Sequence, residues 1–81
     1  MLKVLFVDDD EVTQFLYSRL GSLNGISAYQ AYNGKEALDL VETHDFDVIF
    51  LDINMPVLDG YGFLQAYSKR NEDKHTKVYV M

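Results

Sequence analysis

The sequence predicts an α/β fold, a doubly wound parallel sheet with helices on both faces. Two short apolar runs, residues 3–7 and 48–51, show no alternation, which is typical of strands buried on both faces. Strand-like and helix-like patterns alternate along the chain in the order βαβαβαβ, which indicates right-handed crossovers between parallel strands. The 81 residues are enough for one small domain.

The first predicted helix follows the acidic residues 8–10, of which Asp10 or a neighbour can cap it, and it ends at Gly21 and Asn24-Gly25. Its apolar residues fall on one face at helical spacing: Val12, Phe15, Leu16, Leu20 and Leu23. Residues 26–32 form a weaker strand. The second helix begins at Asn33, where Glu36 three residues later completes a pattern close to a capping box.

The remaining elements follow from the same periodicities. The second helix buries a stripe of Ala37, Leu38 and Val41, and a third helix presents Phe63, Leu64 and Tyr67 on one face. Residues 78–81 are predicted to form the fourth strand.

Composition limits the function. The 13 acidic residues exceed the 7 basic ones, giving a net charge of −6, which argues against a nucleic-acid surface and suits a cation site. The absence of cysteine excludes disulfides and thiolate metal sites. No apolar run reaches the length of a membrane span, and the N-terminus lacks a signal-peptide layout. We therefore expect a cytoplasmic protein that does not bind membranes.

Carboxylates follow both apolar runs. Asp8, Asp9 and Asp10 come after the first strand, and Asp52 follows the third. Parallel strands place their carboxyl ends at one sheet edge, so Asp8 and Asp9 approach Asp52 if the two strands are neighbours. Clustered carboxylates repel unless they are protonated or share a cation, and oxygen ligands suit Mg²⁺. A carboxylate beside Mg²⁺ can attack a phosphoryl group and form an aspartyl phosphate.

These residues carry a resemblance to a known family. The chain resembles the receiver domain of two-component response regulators. Val7-Asp8-Asp9 resembles the acidic pair of that family, and residues 51–56 with Asp59-Gly60 resemble its phosphoacceptor signature. The resemblance covers all 81 residues. It implies a flavodoxin-like fold with the strand order 2-1-3-4-5.

By matched position, the resemblance implies a role for each site residue. Asp52 would accept the phosphoryl group from a sensor histidine kinase or a histidine phosphotransfer protein. Asp9 and Asp52 would bind Mg²⁺ directly, Asp8 through water, and Asn54 through its backbone carbonyl. The loop after Asp52 would be shaped by Met55, Pro56 and Gly60. At most, the chain would phosphorylate and dephosphorylate itself, without turnover of a conventional substrate.

The sequence departs from the family at its C-terminal end. The family's Ser or Thr after the fourth strand, and its Lys at the end of a fifth, do not occur among residues 1–81. The expected unit is therefore a (βα)₃β part of the (βα)₅ receiver fold, without the last strand and the last two helices. Its fourth strand and the sheet face beside the first helix would be uncovered, so we expect a dimer, a domain swap, or a C-terminal segment supplied separately.

Two other functions remain open from the sequence. Residues 6–12 also fit the acidic motif of haloacid-dehalogenase-like phosphatases, with Asp8 as nucleophile and Asp10 as acid/base, although that motif leaves residues 51–60 unexplained. Alternatively, the chain is an interaction or structural unit without phosphotransfer.

Overall fold

A computed structural model describes residues 2–52, 62–63, 65–67 and 76–80. Within these ranges, four parallel strands form one sheet in the order β2-β1-β3-β4, which confirms the predicted fold class. The elements are β1 (Lys3–Val7), α1 (Glu11–Leu23), β2 (Ser27–Ala31), α2 (Gly34–Thr43), β3 (Val48–Leu51) and β4 (Lys77–Val80). Residues 62–63 and 65–67 are helical, where the third helix was predicted.

The core lies on one face of the two central strands. Leu5 and Val7 of β1 and Ile49 and Leu51 of β3 are fully buried, because the alternation of a strand sends all four to the same side of the sheet. They form one cluster with residues of α2 and of the helical residues near position 65: Ala37, Val41, Phe63 and Tyr67. The predicted stripe of α2 is therefore confirmed at Ala37 and Val41, while Leu38 packs partly buried at the edge of the cluster.

The opposite face of the sheet carries α1, which does not meet the sheet through its apolar face. The apolar residues that share a face of α1 are all exposed, by 54% to 78%: Val12, Phe15, Leu16, Leu20 and Leu23. The buried residues of the helix are Gln14 and Gly21. The apolar stripe of α1 is therefore not its contact with the sheet.

Gly21 explains how α1 lies so close to β2. A methyl group added at Gly21 would stand 3.0 Å from the Cβ of Ala28, which is tighter than normal contact. Of the two predicted terminators, Asn24-Gly25 is confirmed and Gly21 is wrong, since α1 continues through Gly21 to Leu23. Asn24 caps it, with its N–H donating to the carbonyls of Leu20 and Gly21, and Gly25 turns the chain with a φ of 67°.

The N-terminal cap of α2 is confirmed. The Oδ1 of Asn33 accepts a hydrogen bond from the N–H of Glu36 at 2.9 Å. The Glu36 carboxylate reaches back to the N–H of Tyr32 at 2.7 Å, one residue before the position that a standard capping box would use. These two bonds fix the chain direction between β2 and α2.

The face beside α1 presents a row of aromatic rings. Tyr17, Phe6, Phe50 and Tyr79 stack in that order, with centroid separations of 4.4, 5.5 and 5.5 Å. Tyr79 and Val80 on β4 are half exposed. The dimer or domain swap expected from the uncovered fourth strand stays a prediction.

Candidate metal site

Three carboxylates meet at the carboxyl edge of the sheet. Asp8, Asp9 and Asp52 each offer an oxygen that lies within 4.8 Å of the others. Asp8 and Asp9 follow β1, and Asp52 follows β3, which pairs directly with β1 through Val7 and Leu51. The parallel pairing brings the two strand ends together, and so it brings the carboxylates together.

Backbone hydrogen bonds extend the sheet one step past the strands. The N–H of Asp52 donates to the carbonyl of Val7 at 2.9 Å, and the N–H of Asp8 donates to the carbonyl of Ala31 at 3.0 Å. The two aspartates are therefore held on rigid backbone rather than on a free loop. Such support is what a metal site needs for a defined geometry.

The environment of Asp8 disfavours its negative charge. Its side chain is only 8% exposed, and burial is the main cause that raises the pKa of its carboxyl group. The N–H of Asp10 donates to its Oδ1 at 3.0 Å, which lowers that pKa, while the charges of Asp52, Asp9 and Asp10 raise it. A cation at this edge would offset both the burial and the repulsion.

Asp10 has a different task. Its carboxylate accepts hydrogen bonds from the N–H and the hydroxyl of Thr13 and so caps α1. The hydroxyl bond is the main cause that holds the pKa of Asp10 below its usual value. The acid/base role that the phosphatase alternative gives to Asp10 needs a carboxyl group that exchanges protons, and this one is engaged as a helix cap.

Two residues beside the cluster were missed from the sequence. Burial, and then the charges of Asp8 and Asp52, raise the pKa of the Tyr17 hydroxyl, which keeps the phenol protonated next to the acidic edge. Gln14 is fully buried beneath the same edge. Gln14, Tyr17 and Gly21 are spaced by three and four residues and so share one face of a helix. This spacing was the signal in the sequence that could have identified the sheet-facing side of α1.

The three carboxylates fit Mg²⁺. They supply only oxygen atoms, they are close enough to share one ion, and the exposed Asp9 leaves a side open for water or phosphate ligands. The other predicted site residues lie outside the residues that the structure describes: Asn54, Met55, Pro56 and Gly60.

Comparison with known proteins identifies the class. The family model of the response regulator receiver domain matches residues 4–81, and the chain belongs to this family. A probable transcriptional regulator, ycf27, of Cyanidium caldarium is 44% identical over 70 residues, which cover 85% of this chain and 28% of the relative. The chain thus spans less than a third of that protein.

Solved structures show the same architecture. The chemotaxis response regulator CheY4 of Vibrio cholerae matches with a TM-score of 0.91 and 35% identity, over 99% of this chain and 67% of CheY4. The response regulator TrrA of Thermotoga maritima, solved in complex with Mg²⁺-BeF, matches with a TM-score of 0.85 and 29% identity, over 96% of this chain and 66% of TrrA. The flavodoxin-like receiver fold implied by the motifs is confirmed. In the parts that the structure describes, no helix is long and apolar enough to cross a membrane.

Proposed function

We propose that this chain is the phosphoacceptor module of a two-component phosphorelay, with Asp52 as the phosphorylated residue. The observation that carries the proposal is the cluster of Asp8, Asp9 and Asp52 within 4.8 Å at the carboxyl edge of the sheet. Membership of the receiver family supports it.

In the proposed reaction, a carboxylate oxygen of Asp52 attacks the phosphorus of a phosphohistidine. The P–O bond to Asp52 forms as the P–N bond breaks, and the donor imidazole, protonated at its other nitrogen, keeps the electron pair and leaves neutral. Hydrolysis returns the aspartyl phosphate at position 52 to the free carboxylate. Water attacks phosphorus, and the carboxylate leaves with the electrons of the P–O bond. Asp52 is partly exposed, which leaves it open to a donor.

Mg²⁺, when bound, neutralises charge on the phosphoryl oxygens during transfer. We assign Asp9 and Asp52 as direct ligands, Asp8 as a ligand through water, and the backbone carbonyl of Asn54 as a further ligand. The buried Asp8 would orient that water, because its Oδ1 is already held by the N–H of Asp10. Met55, Pro56 and Gly60 would shape the loop around the phosphoryl group.

The proposed partner is a sensor histidine kinase or a histidine phosphotransfer protein, and the proposed location is the cytoplasm. Membership of the receiver family supports this partner. The net charge of −6 gives no support for a nucleic-acid partner of these residues.

The test is to incubate the chain with phosphoramidate and Mg²⁺ and to map the product by mass spectrometry. We expect one hydroxylamine-labile phosphate on Asp52, absent in Asp52→Asn. The matched control is Asp39→Asn on α2, which removes one exposed carboxylate outside the cluster and should label as the wild type does. Labelling of Asp52→Asn at the wild-type rate would refute the assignment, and label on Asp8 would revive the phosphatase alternative.

A second candidate is an interaction unit without phosphotransfer. The exposed apolar face of α1 and the half-exposed Tyr79 and Val80 favour it, since apolar patches of this kind mark contact surfaces. A chain that folds and binds Mg²⁺ but acquires no phosphate would support this function instead.

A further inference from the structure

Gln14 is a fully buried amide at the ends of β1 and β2. Its Nε2 lies 3.0 Å from the carbonyl oxygen of Phe6, 3.0 Å from that of Asp8 and 2.9 Å from that of Ala31. Three acceptors around one nitrogen define the orientation of the amide, because its oxygen in that place would repel all three. Its two N–H groups are shared among the three carbonyls.

The other end of the amide is unusual. Among the described residues, no hydrogen-bond donor reaches Gln14 Oε1, although the atom is buried. A buried acceptor without a partner opposes folding, so an apolar side chain of the same length would serve a purely structural packing role at least as well. The presence of an amide at this position is therefore explained by the three carbonyl groups that its nitrogen binds.

Gln14 holds the acidic turn at two points. Its side chain binds the carbonyl of Asp8, and its backbone N–H binds the carbonyl of Asp10 at 3.0 Å. Asp9 lies between these two anchors, and the N–H of Asp10 in turn holds the carboxylate of Asp8. One residue of α1 thus fixes the backbone that carries two of the three clustered carboxylates.

We infer that Gln14 is a positioning residue for the metal site: it sets the places of Asp8 and Asp9 relative to Asp52, and so sets the affinity for Mg²⁺. The inference rests on the proposed function for the identity of the ion. Residues that support metal ligands typically change metal affinity by 10-fold to 100-fold when they are lost. Gln14 supports backbone rather than a carboxylate itself, so we expect the lower end, about 10-fold.

The experiment compares Gln14→Met with Val41→Ala in the natural chain. Met keeps the length and volume of the side chain but has no N–H donor, while Val41→Ala weakens the core beneath α2, outside the acidic cluster. Two quantities are measured for each: the Kd for Mg²⁺ by calorimetry, and the exchange rate of the Asp10 amide in metal-free buffer. Thermal unfolding reports the stability of each variant.

We expect Gln14→Met to raise the Kd by about 10-fold and to speed exchange of the Asp10 amide. Both effects should appear even if Gln14→Met and Val41→Ala have the same melting temperature. Val41→Ala should lower the melting temperature with the wild-type Kd. Equal Kd values for Gln14→Met and the wild type, with unchanged exchange at Asp10, would overturn the inference.

A wild-type chain that binds no Mg²⁺ would overturn the proposed function, and the exchange rates would still test whether Gln14 positions the turn. If Gln14→Met does not fold, Gln14→Asn, which keeps the amide but shortens its reach, replaces it, with the same expected directions.

Discussion

The backbone N–H of Asp52 donates to the carbonyl oxygen of Val7 at 2.9 Å. This bond lies one step beyond the β1–β3 ladder and ties the residue after β3 to the last residue of β1. Asp52 and Asp8 therefore occupy equivalent places after two neighbouring strands, and strand spacing sets the distance between their backbones. Where the side chains of Asp8 and Asp9 lie depends in addition on the turn after β1, whose Asp8 carbonyl accepts a hydrogen bond from Gln14.

The first prediction concerns the three carboxylates. Because Asp9 and Asp52 are proposed as direct ligands and Asp8 as a ligand through water, Asp9→Asn should weaken Mg²⁺ binding more than Asp8→Asn, for which we expect a loss of about 10-fold. Added Mg²⁺ should also raise the melting temperature of the wild type, because the ion binds only the folded cluster. Calorimetric titration and thermal unfolding measure both effects.

The control for that series is Asp39→Asn, which removes the same charge from an exposed position on α2. It should bind Mg²⁺ with wild-type affinity. Undiminished affinity in both Asp8→Asn and Asp9→Asn would show that the ion is held elsewhere.

The sequence was sufficient for the strands and for the acidic edge. Continuous apolar runs predicted β1 and β3 as central strands, and parallel topology then placed the following carboxylates together. The helix caps near Asp10 and at Asn33 could also be predicted, because a capping side chain accepts a hydrogen bond from an N–H only three residues later in the sequence. In each case the signal was local or followed from chain topology alone.

The packing of α1 could not be predicted in the same way. The periodicity predicted only which apolar residues share a face of the helix, whereas its buried residues are Gln14 and Gly21. A small residue allows close approach only if its partner is also small, and Ala28 lies on a strand that sequence periodicity does not align with Gly21. Burial of the Gln14 amide likewise depends on three carbonyls, one on β1, one just after it and one on β2, which no spacing within α1 encodes.

The second prediction follows from that close approach. Gly21→Ala should gain about 1 kcal/mol of helix propensity but meet the Ala28 Cβ at 3.0 Å, and overpacking typically costs about 1–3 kcal/mol. We expect a net loss of about 1 kcal/mol in the free energy of unfolding. Urea unfolding of the chain measures it.

A double-mutant cycle separates the steric cause from any other. Ala28→Gly removes the methyl group that Gly21→Ala would meet, so the double mutant should lose less stability than the sum of the two single mutants, by about 1 kcal/mol. Strict additivity would mean that the contact between residues 21 and 28 does not determine the packing of α1.

The third prediction concerns the exposed stripe of α1. Leu16 and Leu20 are 54% and 57% exposed, so Leu16→Gln and Leu20→Gln should each change the free energy of unfolding by less than about 1 kcal/mol. Leu5 on β1 is fully buried in the core cluster, so Leu5→Ala should lower the free energy of unfolding by about 2–5 kcal/mol. Comparable losses at Leu16 and Leu5 would show that something covers α1 in solution.

The last prediction is a pH dependence in metal-free buffer. Burial raises the pKa of Asp8 above its ordinary value of 3.8, so the folded chain holds this proton more tightly than the unfolded chain. The contribution of Asp8 to the free energy of unfolding is therefore fully present below pH 3.8 and is lost as the pH rises through the raised pKa. Asp10 contributes in the opposite sense, because its lowered pKa stabilises the fold at higher pH.

The difference between the wild type and Asp8→Asn isolates the first contribution. Asn keeps an oxygen for the Asp10 N–H but carries no charge, so the variant should be more stable than the wild type at neutral pH, and this advantage should vanish as the pH falls below 3.8. Saturating Mg²⁺ should also abolish it, because the ion compensates the wild-type charge. Denaturant unfolding of both proteins at a series of pH values, with chelator or with Mg²⁺, measures how this stability difference depends on pH and on the ion. An advantage of Asp8→Asn that persists unchanged at low pH would show that the variant gains stability from packing and not from the loss of a buried charge.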